Sequence, residues 1–257
     1  AQGTGRIAWQ AGSLGFLVLA VCMTGTRSAL IALALQALAV WPLAAWRLRG
    51  RLACAGWSRA QRALAAGLVL ATVGGLGQVP TGNPQVRAEG RGDTPIARAI
   101  HRGQAIGPSD PSLNIRMAMW RDTLRMVAAH PLAGVGAGAW EVEIPRHQRS
   151  GAQLETDFYA HNEFLQLLAE YGLVGWAFLL AGIGYLLRAA WRTLREAGEV
   201  MDQEAPWRAA ALGCLLSLAV VSQVGFAWRL AGTGVVFALA LAILAASDAR
   251  LGPATRW

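Results

Sequence analysis

Lysine is absent from this chain, cysteine is rare and charge is scarce. All 23 basic residues are Arg, three residues are Cys, and charged residues make up 15% of 257. Each shortage excludes something. A soluble domain carries about 25% charged residues, so a chain at 15% with 54% hydrophobic residues is not read as a soluble cytoplasmic enzyme. Cys22, Cys54 and Cys214 lie far apart, in or near apolar segments, and form neither a disulfide framework nor a zinc site. No HExxH and no second His four residues from His161 argue for a metal, and none is expected. The formal charge is +8, yet the arginines gather beside apolar blocks rather than along one soluble stripe, which argues against nucleic acid as a partner. The chain opens on Ala1-Gln2 without Met or a signal-peptide layout. It is therefore expected to be part of a longer membrane protein.

What is present is a series of apolar blocks long enough to cross a bilayer. Six spans are predicted, at 8–24, 28–46, 63–79, 171–187, 209–227 and 230–246. Arg47, Arg49, Arg51, Arg59 and Arg62 lie between the second and third, with no acid among them. Arg188, Arg192, Arg195 and Arg208 are placed between the fourth and fifth, and Arg250 and Arg256 follow the sixth. Short Arg-rich loops stay cytoplasmic, so the connections near Arg27, across 80–160 and near Arg229 face the other side. Trp41, Trp46, Trp176, Trp191 and Trp228 sit near span ends, as belt aromatics do. Three segments follow: three spans in 1–79, an external loop domain at 80–160, and at 161–257 an external helix with three further spans.

The long loop holds nine of the 23 Arg and eight of the 15 acids, and long translocated loops are exempt from the positive-inside bias. Pro80, Pro84, Pro95, Pro108 and Pro111 predict irregular chain over 80–111. A helix is expected from Ser112 to Ala129, capped by Ser112 or Asn114 and ended by His130-Pro131. Gly134, Gly136 and Gly138 do not have the G-x-G-x-x-G spacing. They read as a tight turn between helices, with an anion-binding backbone nest as the alternative. Another helix is expected from about His161 into the fourth span.

Several residues carry possible chemistry. Arg27, in Thr24-Gly25-Thr26-Arg27-Ser28 between two spans, is either an interfacial anchor or a phosphate ligand, since a guanidinium fork matches phosphate oxygens. Arg116, Arg121 and Arg125 lie on the 112–129 helix, where Arg121 and Arg125 share a face and Arg116 shares its side with Trp120. They are a solvated face, with Asp122 pairing Arg125, or a cradle for an anionic lipid headgroup. In Phe158-Tyr-Ala-His161-Asn162-Glu163-Phe-Leu-Gln166-Leu-Leu-Ala-Glu170-Tyr-Gly172, the residues Asn162, Gln166 and Glu170 form one polar stripe. Glu163 is read as a capping-region acid. His161 stands at the helix start, where the positive helix end disfavours a cationic ring and leaves it able to accept a proton.

Three blocks together resemble the O-antigen ligase and polymerase superfamily of bacterial membrane glycosyltransferases. They are Thr24-Gly-Thr-Arg27-Ser-Ala29, then Arg116-Met-Ala-Met-Trp120 through Pro131-Leu-Ala-Gly134-Val-Gly136, and then Ala160-His161-Asn162-Glu163-Phe-Leu-Gln166 with Glu170-Tyr-Gly172 and Gly175. The resemblance runs from about residue 8 to residue 190. It implies an all-α, polytopic integral membrane protein with a long periplasmic loop in the bacterial inner membrane. Family members have about a dozen spans, so the amino-terminal half would be missing and the segment alone inactive. The implied reaction moves a glycan from undecaprenyl pyrophosphate to an acceptor, with inversion and with neither metal nor cofactor. Arg27 and Arg116 would grip the pyrophosphate, and His161 would activate the acceptor hydroxyl. Asn162, Gln166 and Glu170 would orient His161 or line the acceptor groove. Arg121 and Arg125, which have no clear motif match, are supporting candidates by their place on the same helix as Arg116. Lipid A core is the favoured acceptor, another lipid-linked glycan (polymerase) or a protein Ser/Thr the alternatives. A polysaccharide transporter is the non-enzyme reading. Transporters place ionisable sites at the bilayer midplane, whereas the polar residues here gather in the external loop.

Overall fold

The computed structural model describes residues 3–50, 53–104, 111–148 and 159–252. Helices joined by turns and short connections make up the described residues, with no strand among them. The chain divides into two compact units, Ala1–Gly107 and Pro108–Trp257.

In the first unit, α1 (Thr4–Thr24) buries Ile7, Ala11, Gly15, Leu19 and Cys22 along one stripe. Its other faces carry exposed Trp9, Phe16 and Leu17, the pattern of a helix whose outer surface meets lipid rather than water. Gly25 ends α1 in the left-handed region (φ 61°), and its N–H donates to the Cys22 carbonyl. Helix α2 (Arg27–Arg47) follows at once. A widened π turn at Gln36–Val40 precedes Trp41-Pro42, where Pro42 has no N–H to give the preceding turn. Ser58 and Gln61 form a capping box that starts α3 (Arg59–Ala71). A second π turn at Thr72–Leu76 extends it to Gly77. Its apolar part, from residue 63 on, reaches only about 21 Å, short of the roughly 30 Å hydrocarbon core. The third predicted span is thus shorter than expected, because the helix ends at Leu76 and the chain turns at Gly77, where a Cβ would lie 2.6 Å from Ile96 Cδ1.

The stretch 80–111 is not irregular as predicted. It contains α4 (Pro84–Ala88) and α5 (Pro95–Gln104). The prolines that read as breakers start helices, where a missing N–H costs nothing. Asn83 Oδ1 accepts from the Gln85 N–H at 2.9 Å, and Thr94 Oγ1 from the Ala97 N–H at 3.2 Å. Pro108 lies outside the described residues. Helix α5 packs against α1 and α2.

The second unit begins with α6 (Pro111–Ala129), which ends before His130-Pro131 as predicted. Ser112 and Asn114, expected as caps, lie inside its first turn. A short α7 (Trp140–Glu143) leads through a 3₁₀ turn at Ile144–His147. The three apolar helices α8 (Glu163–Arg195), α9 (Glu199–Ser222) and α10 (Ala231–Leu251) close the chain. Met119, Met126, Trp140, Ile144, Ala160 and Ala169 form one core beneath α6, and Ala189, Ala211, Leu215, Ala240 and Leu244 another among α8–α10. Phe178, Leu187 and Val235 remain exposed on these helices, again facing where lipid would be.

Helices α1, α2, α8, α9 and α10 are long and apolar enough to cross a membrane. The 21 residues of α1 span about 31 Å at 1.5 Å per residue. The chain is a multi-pass α-helical membrane protein. Arg47 lies over Trp46 at 4.5 Å and Arg195 over Trp191 at 4.7 Å, so belt aromatics and helix-end arginines work as pairs. Arg192 and Arg208 differ from expectation. They belong to α8 and α9 rather than to the connection, and both are buried, because Asp248, Glu196, Thr193 and Ser247 neutralise or bond them.

Candidate active site

The start of α8 is over-determined. Asn162 is its N-cap, and Oδ1 accepts from the Leu165 N–H at 3.0 Å. Ala160, fully buried, is held at both backbone groups: its N–H donates to Gln166 Oε1 (3.0 Å), and its carbonyl accepts from the indole N–H of Trp120 (2.9 Å). Between these two fixed residues stands His161 with φ 52°, the one described non-glycine residue at positive φ. A left-handed backbone costs a side-chain-bearing residue about 1–2 kcal/mol, so the flanking bonds must supply it. The half-buried His161 ring meets Phe226 edge-on at 5.2 Å. Tyr159 packs on the same phenyl at 5.0 Å and receives the Arg229 guanidinium at 5.5 Å.

Beneath His161 runs a closed polar network. Gln166 Nε2 donates to Glu170 Oε1 (2.8 Å), and Arg229 donates to Glu170 Oε2 (2.9 Å) and to Glu163 Oε2 (3.3 Å). The Trp228 N–H donates to Glu163 Oε1 at 2.9 Å. All four carboxylate oxygens are occupied, and Glu163, Gln166 and Glu170 are 1–2% exposed. The stripe is therefore interior: it fixes the backbone beside His161 and ties α8 to the turn before α10. Glu163 is more than a capping acid. Arg229, read from the sequence only as lying near a connection, is the cation that neutralises this network. An isolated Arg in the apolar run Gly225-Phe-Ala-Trp-Arg229-Leu-Ala was the available signal, since such a charge needs a buried acidic partner.

Gly172 (φ 61°, ψ −153°) breaks α8 below this network. In an unbroken helix the N–H groups of Leu173 and Val174 would bond to the carbonyls of Ala169 and Glu170. Here the Gly-rich turn takes both sides of the exchange. Leu173 and Val174 donate to the carbonyls of Pro131 (3.0 Å) and Leu132 (3.4 Å), while Val135 and Gly136 donate to those of Ala169 (3.0 Å) and Glu170 (2.9 Å). The approach is close enough that a Cβ on Gly134 would lie 2.3 Å from the Glu170 carbonyl carbon, and one on Gly172 2.3 Å from the Leu132 oxygen. The Val135 and Gly136 N–H groups are thereby spent, so the turn is a helix-break clamp and not an anion nest.

The remaining candidates separate. Arg116 is half-buried on the α6 face that carries Trp120, and Trp120 docks that face at Ala160. Arg125 joins Asp122 (2.6 Å) and the His147 carbonyl (2.8 Å), a structural tie. Arg121 is exposed. Arg116, His161, Asn162, Gln166 and Glu170 belong to one unit, and Arg27 to the other, where it opens α2 directly after the Gly25 turn.

What this arrangement offers is an imidazole held in a fixed backbone conformation at the edge of a membrane helix, with arginines on neighbouring elements. A family model described as O-Antigen ligase matches residues 12–180. No curated protein and no solved structure matches the chain.

Proposed function

The chain belongs to the O-antigen ligase family, and on that premise we propose that it transfers a glycan from undecaprenyl pyrophosphate to lipid A core on the periplasmic side of the bacterial inner membrane. The observation that carries the reading is His161, strained into the left-handed region between the doubly bonded Ala160 and the Asn162 cap. Strain of this kind is retained where a group must be aimed.

In the proposed reaction the acceptor hydroxyl oxygen attacks the anomeric carbon. Its proton passes to an imidazole nitrogen of His161, and the bond from the anomeric carbon to the pyrophosphate oxygen breaks. Attack opposite the leaving group inverts the anomeric centre, and undecaprenyl pyrophosphate departs with the bonding pair. Arg27 and Arg116 offset the charge that develops on the leaving group, as fixed guanidinium groups can. General-base assistance is worth about 10²–10⁴-fold. Asn162, Gln166 and Glu170 act as positioning residues through the backbone around His161, while Arg125 supports α6 and Arg121 faces solvent. The external faces of both units, including the 80–160 segment, are assigned to the periplasm.

The test is deletion of the full-length gene, with surface lipopolysaccharide run on a gel and complementation by wild type or His161→Ala. Lipid A core without O-chain, and glycan stranded on its carrier, is the expected result, with His161→Ala failing to restore the ladder. Core capped by a single repeat would make the protein a polymerase. An unchanged ladder with lost protein glycosylation would move the acceptor to a protein. Near-normal transfer by His161→Ala would remove the general-base role.

A further inference from the structure

The first unit contains a cluster of cations that its own acids do not neutralise. Arg98 and Arg102 stand four apart on α5 and so share a face. They lie against the backbone of the α1–α2 turn: a Cβ added to Gly25 would sit 2.9 Å from Arg98 Nε and 3.4 Å from Arg102 Nε. Arg98 is only 8% exposed. Its Nη2 donates to Glu89 at 2.7 Å, but its Nε and Nη1, and the Nε of Arg102, are buried without a hydrogen-bond partner among the described residues. Burial, and then the charges of Arg91, Arg27 and Arg98, push Arg102 below the ordinary arginine value, with Glu89 the opposing charge. The positive end of α2 points into the same turn, and Thr26 supplies no side-chain cap to it.

Buried donors without acceptors are costly, and more so when charged. Here the turn that brings them together joins two membrane-spanning helices, so the cluster sits at the bilayer surface. A ligand that satisfies several guanidinium forks there must carry many anionic oxygens on a lipid. We propose that Arg98 and Arg102 join Arg27 in a clamp for the diphosphate of a polyprenyl-linked donor. Gly25 is the residue that makes room for them. This rests on the reading above that the donor is a lipid diphosphate, and it adds two binding residues and the glycine that admits them.

The experiment uses the full-length protein in nanodiscs, with farnesyl diphosphate as probe and phosphatidylglycerol as competitor. Wild type is expected to bind the diphosphate and phosphatidylglycerol to compete weakly. Arg98→Gln and Arg102→Gln each weaken binding about tenfold or more, as expected for a lost charge-assisted contact. Arg102→Lys keeps the charge and stem but loses the fork, and weakens binding at an unchanged thermal midpoint, which separates ligand contact from folding. If Arg27→Gln or Arg116→Gln weakens binding and the Arg98 and Arg102 variants do not, the clamp is overturned and the donor reading stands. If wild type binds no diphosphate, both fall. Equal competition by phosphatidylglycerol, lost in the same variants, would make this a general phospholipid headgroup site and overturn the diphosphate assignment.

Discussion

Two buried arginines of this protein have opposite surroundings. Arg208 is fully buried, and each guanidinium nitrogen has a partner: Thr193 Oγ1 at 2.9 Å, Ser247 Oγ at 3.1 Å, Asp248 Oδ1 at 2.8 Å and the Ala189 carbonyl at 3.2 Å. It joins α8, α9 and α10, and Arg192 and Tyr185 share its carboxylate. Arg98 is nearly as buried and has one partner, Glu89, which is 40% exposed. A closed network holds the fold together, while an open one holds something else. The same contrast separates Arg229, whose carboxylates are all accounted for, from the cluster against Gly25. Burial of a cation says little about its role until its acceptors are counted.

The largest expected effect tests that distinction directly. Arg208→Ala strands Asp248, Thr193 and Ser247 in the interior and is expected to cost about 3–5 kcal/mol, read as thermal unfolding in one fixed detergent. Arg98→Ala loses one ion pair, to a carboxylate that is 40% exposed, and is expected to cost far less. Equal losses would erase the difference between the two networks. Next comes Gly172→Ala. Its Cβ would enter the left-handed region, for about 1–2 kcal/mol, and would also collide with the Leu132 carbonyl, at an overpacking cost of about 1–3 kcal/mol. A total of about 2–5 kcal/mol is expected, with faster amide exchange at Val135 and Gly136. An unchanged midpoint would mean that the turn at 131–136 does not hold the break in α8.

These effects also show what was legible in the sequence. Long apolar blocks and their flanking arginines gave five of the six spans, and His130-Pro131 gave the end of α6, since both follow from local composition. The failures were tertiary. Pro84 and Pro95 read as breakers because a proline reveals its helix-starting role only when Asn83 or Thr94 caps the turn. Glu163 looked like a capping acid because Arg229, 66 residues away, does not lie on the same helix. Arg192 and Arg208 read as loop charges because nothing local announces Asp248. The motif around His161 was readable, but its positive φ was not. Nothing local marks Arg98 and Arg102 among the nine loop arginines, since only the fold places them against Gly25.

A smaller effect sharpens the comparison at His161. If its left-handed backbone is imposed by Ala160 and Asn162, His161→Gly relieves it and His161→Ala does not. The glycine variant should be more stable than the alanine variant by about 1 kcal/mol, while both lose glycan transfer. Thermal midpoints of the two, measured side by side, decide it. A glycine variant no more stable than alanine would show that this backbone carries no strain.

The smallest expected effect concerns the one acid in the open cluster. The hydrogen bond from Arg98, followed by the charges of Arg98, Arg91 and Arg102, holds the Glu89 carboxyl below its ordinary value of 4.5. A carboxyl with a depressed folded-state pKa contributes stability that is fully present above its unfolded value and is lost as pH falls through the folded one. The midpoint difference between wild type and Glu89→Gln should therefore be present at neutral pH and disappear only below 4.5. Diphosphate should alter the same difference, because a bound anion would share Arg98 with Glu89. Farnesyl diphosphate at neutral pH is expected to shrink the wild-type advantage. A difference that ignores the ligand would place the anion away from Arg98, and would leave that arginine with Glu89 as its sole counter-charge.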